Sequence, residues 1–135
     1  PELIIGATSE AAFRRVAGLV DGWIMGGGTP QMFAGLAGAV DQAWQEAGRP
    51  GRPRKLALAY FALGPQARDV AGETIRFYYE WLGDVAEQIV ASTATSPEMV
   101  KSYVEGFAAA GCDELIFGPG AASLDQVTLL AEALA

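Results

Sequence analysis

The sequence predicts an α/β fold of four strand–helix units whose strands lie in one parallel sheet. Three observations carry that expectation. Short apolar runs alternate with amphipathic segments four times along the 135 residues, the order that a parallel sheet with helical crossovers imposes. Each run closes on glycine, at Gly6, Gly26, Gly64 and Gly118, and Ser or Thr caps the helical segments that follow Gly6, Gly26 and Gly118. The run from Leu56 to Leu63 is apolar at both alternating sets of positions, as in a parallel strand covered on both faces.

The elements follow in order. Leu3-Ile4-Ile5 is a strand ended by Gly6, and Thr8-Ser9 offers an N-cap. Phe13, Val16, Ala17 and Val20 then recur at i, i+3, i+4 and i+7, one face of a helix. Gly22-Trp23-Ile24-Met25 is the second strand, and Thr29-Pro30 starts the next helix with a cap and a proline at its first position. Phe33, Leu36, Val40 and Trp44 share a face of that helix, Gly48 closes it, and residues 49–54 form a polar turn. After the third strand, Gln66 to Gly72 reads as a loop or broken helix, and Glu73 to Ala91 as a long aromatic-rich helix that Gly83 interrupts. Ser96-Pro97 opens a further helix that Gly111 stops. Leu115-Ile116-Phe117 is the fourth strand, and Ser123 with Gln126 predicts a capping box for the last helix. The strands are thus expected near 3–6, 22–26, 55–63 and 114–118, within a single domain over 1–135.

Composition narrows the chemistry. There is no histidine, which removes Ser-His-Asp and Cys-His catalysis and histidine-ligated metals. The single cysteine, Cys112, permits no internal disulfide and no cysteine-based zinc site, and it fits a reducing, cytoplasmic setting. The net charge of −7 with scattered basic residues argues against a nucleic-acid partner. No run approaches the roughly 18–20 apolar residues that span a bilayer, so no membrane partner is expected. Yet half the residues are apolar and mean hydropathy is +0.22, which predicts packing within the chain or against a protein partner. The chain starts on Pro1, and Pro1-Glu2-Leu3-Ile4-Ile5 reads as entry into a buried strand, so a fragment, a processed chain or a split half is expected.

In parallel α/β folds ligands bind at the C-terminal ends of the strands. Four loops fall there: Gly6-Ala7-Thr8-Ser9, Gly26-Gly27-Gly28-Thr29, Gly64-Pro65-Gln66-Ala67-Arg68 and Gly118-Pro119-Gly120-Ala121-Ala122-Ser123. The first, second and fourth combine glycine with a hydroxyl residue at a helix start. That combination suits a phosphate, and it equally suits tight turns with capped helices. Arg68 either meets an anion or is a solvated surface arginine. Arg14 and Arg15 lie on a helix, at its surface. Asp21, Asp113 and Glu114 stand at the opposite rim, where a structural role is expected. The aromatic stretch Phe77 to Trp81 either lines a flat-ring pocket or packs; successive helix positions cannot all face one way. Cys112 reads as a small packed residue.

Taken in order, several segments resemble the luciferase-like flavin-dependent monooxygenase and oxidoreductase family. They are Leu3-Ile4-Ile5-Gly6-Ala7-Thr8-Ser9 with Arg14-Arg15, Asp21-Gly22-Trp23-Ile24, Gly27-Gly28-Thr29-Pro30 and Ala59-Tyr60-Phe61-Ala62-Leu63-Gly64. Tyr78-Tyr79 through Leu82-Gly83, Ala110-Gly111-Cys112-Asp113-Glu114-Leu115 and Asp125-Gln126-Val127 with Leu129-Leu130-Ala131-Glu132 complete the set. The resemblance spans the chain. It implies the C-terminal half of a (β/α)₈ TIM-type barrel, strands five to eight, using FMN or a deazaflavin. It also implies that Gly6, Ala7, Thr8, Ser9, Gly26, Gly27 and Gly28 help to hold the flavin phosphate, while no side chain stands out as a catalytic acid or base.

A half-barrel leaves two strand edges unpaired and one sheet face open. A homo-oligomer or a complementary N-terminal half-barrel is therefore an expected partner. Two other readings stand beside the oxidoreductase. One is a catalytically inactive half-barrel that self-associates. The other is an open α/β domain binding a different phosphorylated metabolite, which a non-sequential strand order would favour.

Overall fold

The computed structural model describes residues 1–135. Four strands, β1 (Ile4–Gly6), β2 (Gly22–Gly26), β3 (Arg54–Phe61) and β4 (Glu114–Pro119), alternate with six helices: α1 (Glu10–Leu19), α2 (Pro30–Glu46), α3 (Ala67–Tyr78), α4 (Asp84–Ala91), α5 (Pro97–Ala109) and α6 (Asp125–Leu134). All strand pairs are parallel and the order is β1-β2-β3-β4. The sequential order withdraws the support that a rearranged sheet would have given to the open-domain reading. The fold is α/β and matches half of a TIM barrel.

Helix starts follow the local chemistry. Ser9, Thr29 and Ser96 each sit in extended backbone and accept a hydrogen bond from the N–H three residues on, Ala12, Met32 and Met99 respectively. Pro30 and Pro97 occupy first helical positions where no N–H is needed. The last helix departs from expectation. Gln126 does not complete a capping box with Ser123, whose hydroxyl accepts from Asp125 N at 3.2 Å. Its buried carboxamide instead accepts from Leu63 N at 2.8 Å and donates to Leu63 O at 3.0 Å. Both backbone groups of Leu63 lie beyond the end of β3 with no strand to pair them, and leaving them unsatisfied is the costlier outcome.

The segment after β3 also differs. Helix begins at Ala67, within the stretch expected as a loop or broken helix, and the expected interruption near Gly83 starts earlier, after Tyr78. A 3₁₀ turn at Glu80–Leu82 and Gly83 at φ +54° separate α3 from α4. Residues with side chains are rarely at home at that φ, so the glycine sets the break. The chain then returns to its departure point: Ala62 N donates to Ala94 O and Ala94 N to Tyr60 O, both at 2.9 Å, pinning residue 94 beside the end of β3.

Side chains alternate across the sheet. Trp23, Met25, Ala57, Ala59, Phe61, Leu115 and Phe117 face the layer of α1, α2, α5 and α6 and belong to or border one continuous core. Its spine is aromatic. Phe13 meets Trp23 edge-on at 6.3 Å, Trp23 stacks on Phe33 at 5.3 Å, and Phe33 meets Phe107 edge-on at 5.5 Å. Gly106 lets α5 approach α2, since a Cβ there would lie 2.8 Å from Pro30.

The other face carries Ile4, Gly22, Ile24, Leu56, Leu58, Tyr60, Glu114, Ile116 and Gly118, as the register dictates. Here β3 is not covered on both sides throughout. Ala62, at the C-terminal end, is buried beneath α3 in a second small cluster with Ala67, Ala71, Ile75 and Ala121. Nearer the N-terminal end, Ile24 and Leu58 are half-buried and Ile116 is exposed. In a closed barrel the remaining strands fill this face with side chains.

Charges gather at the N-terminal rim. Arg52 makes a two-pronged bond to Asp113 at 2.6 and 2.9 Å, and Asp113 also accepts from Lys55 N at 2.9 Å. Arg54 bridges Glu2 and Glu114, Asp21 accepts from Leu3 N at 2.9 Å, and Lys55 pairs with Asp41 at 2.7 Å. Asp21, Asp113 and Glu114 thus fasten strand starts. No helix is long and apolar enough to cross a membrane.

Two predictions follow from this framework. Trp23→Ala removes a fully buried indole and should cost about 3–5 kcal/mol, read as the urea midpoint of chain unfolding by circular dichroism. The Arg52 guanidinium, chiefly by hydrogen bonding, holds the Asp113 carboxyl below its ordinary range. A carboxyl lowered on folding stabilises the chain above its unfolded pKa, and that stability is lost as pH falls through the lower folded value. Asp113→Asn should therefore lower the melting temperature at neutral pH, a loss of about 1 kcal/mol. It should also flatten the decline in melting temperature below the ordinary carboxylate range.

Candidate functional site at the C-terminal rim

The C-terminal ends of β1 and β2 meet α4 across a cleft of about 280 Å³. One wall is Thr8 with Met25, Gly26, Gly27 and Gly28, the base is Met32 and Leu36 of α2, and the opposite wall runs from Tyr79 through α4 to Ser92. None of its lining residues carries a charge. Its polarity comes from the Thr8 and Ser92 hydroxyls, the Gln88 amide, the Tyr79 phenol and the backbone.

The glycines have distinct reasons to be there. Gly27 and Gly28 lie at φ +79° and +134°, where a side chain is strained. A Cβ on Gly28 would also sit 3.2 Å from Met25 Cε and 3.3 Å from Met32 Sδ. The positive φ values thus keep side chains off Gly27 and Gly28 and leave their backbone bare at the turn.

The residues singled out from sequence divide. Thr8, Gly26, Gly27 and Gly28 line the cleft. Gly6, Ala7 and Ser9 do not: Gly6 pairs with Ile24 in the sheet, Ser9 caps α1, and Ala7 is buried with its carbonyl accepting from Trp23 Nε1 at 2.8 Å. That indole bond fixes the loop that presents Thr8. Because Ser9 is the cap, the Thr8 hydroxyl is not needed for one. Arg68 is exposed on α3 and outside the cleft. Arg14 and Arg15 are exposed on α1, Arg14 with a loose 3.7 Å pair to Glu10.

A second cleft of about 190 Å³ opens beside the first, lined by Tyr60, Thr74, Ile75, Tyr78, Tyr79, Pro119 and Gly120. The fourth rim loop contributes here, through Pro119 and Gly120. Tyr79 lines both clefts. Its hydroxyl lies 2.6 Å from that of Tyr60, and the rings meet edge-on at 6.1 Å. Tyr60 projects from the open sheet face beside Gly118 of β4 and the turn after β2. A Cβ on Gly118 would come within 3.2 Å of its ring, and one on Gly27 within 3.9 Å. Burial is the main cause that raises the Tyr60 phenol far above its ordinary value, with the Tyr79 hydrogen bond adding to it, so Tyr60 stays protonated and can donate.

Tyr79 lies in the Phe77 to Trp81 stretch, one of whose two expected roles is to line a pocket, and it lines both clefts. Tyr60 reads from sequence only as a position of a buried strand; its place opposite Gly118 becomes legible once the register is known. Of the other aromatics, Phe77 and Trp81 are about four-fifths exposed and Tyr78 two-thirds. Cys112 is half-buried, its thiol donates to Glu114 O, and burial pushes its pKa up, which describes an unreactive packed cysteine. No group of three or more His, Cys, Asp or Glu is placed to hold a metal ion.

No protein-family model matches the chain, and no curated protein matches it. Solved structures do. An F420-dependent secondary alcohol dehydrogenase, in complex with an F420-acetone adduct, superposes with a TM-score of 0.71 at 16% identity over 99% of this chain and 49% of that one. The coenzyme F420 dependent tetrahydromethanopterin reductase from Methanopyrus kandleri gives 0.64 at 14% identity, over 96% and 48%. The apo form of MsnO8 gives 0.63 at 19% identity, over 99% and 51%. The chain thus spans about half the length of the structures it matches, and at these identities the likeness is one of fold.

Proposed function

We propose that this chain is the cofactor-holding half of a flavin- or deazaflavin-dependent oxidoreductase of the luciferase-like type. In this reading the rim cleft takes the phosphate-bearing arm of the cofactor. The observation that carries it is the uncharged cleft walled by Thr8 and Gly26-Gly27-Gly28 at the strand ends, where α/β barrels bind ligands. Similarity to two F420-dependent enzymes supports the same reading.

The residues present fit such a group. Gly27 and Gly28 leave the backbone bare at the turn into α2, and the helix N-terminus behind them favours an anion. Met25, Met32, Leu36, Leu82, Val85 and Ile89 offer an apolar wall to a flat ring. When bound, a flavin or deazaflavin supplies the hydride chemistry itself. The chain's own part is to bind, orient and exclude water, through Thr8, the glycine turn and α4. An oxygen-using, monooxygenase-type reaction belongs to the same proposal as its finer form.

A second reading keeps the fold and drops the cofactor: an inactive half-barrel that self-associates. The open sheet face with Ile24, Leu58 and exposed Ile116, flanked by the unpaired edges of β1 and β4, favours it. The same face fits the oxidoreductase reading if a complementary half-barrel or a second copy covers it.

Fluorescence titration with FMN, riboflavin and a phosphate-bearing deazaflavin separates the readings. Binding of a phosphorylated flavin is expected. A stable dimer that binds none of the three would support self-association and sink the cofactor reading. Thr8→Val should weaken FMN binding about 3- to 10-fold, the worth of one hydrogen bond, and leave riboflavin unchanged. Equal weakening of both would place Thr8 away from the phosphate.

A further inference from the structure

The rim carries one polar device that the phosphate reading does not use, the hydroxyl pair of Tyr60 and Tyr79 between the two clefts. Resting on the flavin reading, we propose that Tyr79, held in direction by Tyr60, donates a hydrogen bond to an acceptor atom on the flat heterocycle of the ligand, a ring carbonyl oxygen or ring nitrogen.

Two phenols joined by one O–H···O contact hold two protons, and only one lies between the oxygens. The second is free to meet a third group. The Tyr60 ring stands on β3 beside Gly118 of β4, where a Cβ would come within 3.2 Å of it. Either hydroxyl can donate across the 2.6 Å contact; with Tyr60 donating, the Tyr79 proton is the one left for a ligand. Tyr79 is also the residue that lines both clefts, so its hydroxyl stands where a ring entering from either side passes.

The surroundings select the kind of acceptor. The cleft walls beside Tyr79 are Leu82, Val85, Ile89, Met25 and Met32, with no charged side chain. A neutral donor beside an apolar wall recognises a neutral acceptor on a planar ring and fixes its orientation. It offers little to the phosphate arm, which the reading above places on Thr8 and the glycine turn. Tyr79 sits where the chain leaves α3 for the 3₁₀ turn, so its direction depends on the contact with β3 that Tyr60 supplies. Tyr79 is thus a ligand contact and Tyr60 a positioning residue.

Tyr79→Phe and Tyr60→Phe each remove one oxygen and keep the ring. Both are titrated with FMN and with riboflavin by fluorescence, and the absorption spectrum of the bound flavin is recorded alongside the melting temperature of each variant. Tyr79→Phe should weaken FMN and riboflavin alike, about 3- to 10-fold, and shift the bound flavin's absorption bands. Tyr60→Phe should move the same bands in the same sense by less. Wild-type binding with unchanged affinity and spectrum in both variants would overturn the proposal and leave the flavin reading standing. A lowered melting temperature with an unchanged bound spectrum would assign the pair a structural role only, and also overturn it. Absence of flavin binding by the wild-type chain would overturn the flavin reading and this proposal together.

Discussion

Burying an indole commits its N–H to a partner, and Trp23 finds that partner in the Ala7 carbonyl at the end of β1. The same ring stacks on Phe33 of α2 and meets Phe13 of α1 edge-on. One side chain on β2 therefore sets the spacing of both flanking helices and the course of the first rim loop. Displace the ring and the loop that presents Thr8 loses its anchor, while α2, which carries Met32 and Leu36 beneath the cleft, loses its main contact with the sheet. The site is built on rigid elements because the core residue that orders them also holds the loop.

The sheet divides its chemistry by end. Carboxylates and guanidinium groups gather where the strands begin, and tie strand starts to one another. Where the strands finish, the lining is glycine, hydroxyl, phenol and thioether. A buried or half-buried charge needs a counter-charge or water, and the lower rim supplies both. The cleft at the upper rim, lined by no charged side chain, leaves dipoles and backbone groups to meet whatever enters.

Much of this was legible in the sequence because the signals are local. Apolar runs closed by glycine, and Ser9, Thr29-Pro30 and Ser96-Pro97 as caps, depend on neighbours a few residues away. The failures are long-range. Gln126 follows Ser123 at capping-box spacing, but the unpaired backbone of Leu63, remote in sequence, takes its amide. In the 73–91 stretch the interruption at Gly83 is legible from the glycine, but its start at Tyr79, several residues earlier, is set by the turn across the rim. For the site, the glycine turn at 26–28 was visible from its composition. Gly6, Ala7 and Ser9 shared that composition and are absorbed by sheet pairing, the indole bond and the helix cap. The tyrosine pair was hidden because it requires the register of three strands and the return path of a distant loop.

That return path has a consequence for how such a chain changes over generations. Residues 62 and 94 are bonded side by side at the tip of β3, so the stretch between them leaves and re-enters the sheet at a single point, as a handle joins a cup. Its length is not fixed by the strand register below it, while its content is tied to the scaffold at Ala67, Ala71 and Ile75, which pack on Ala62 and Ala121, and at the Tyr79–Tyr60 bond. Changes on the rest of α3 and α4 can reshape one wall of the cleft while β3, α5 and β4 keep their places. The sheet is the frame, and this handle is the part whose remodelling would reshape the cleft wall first.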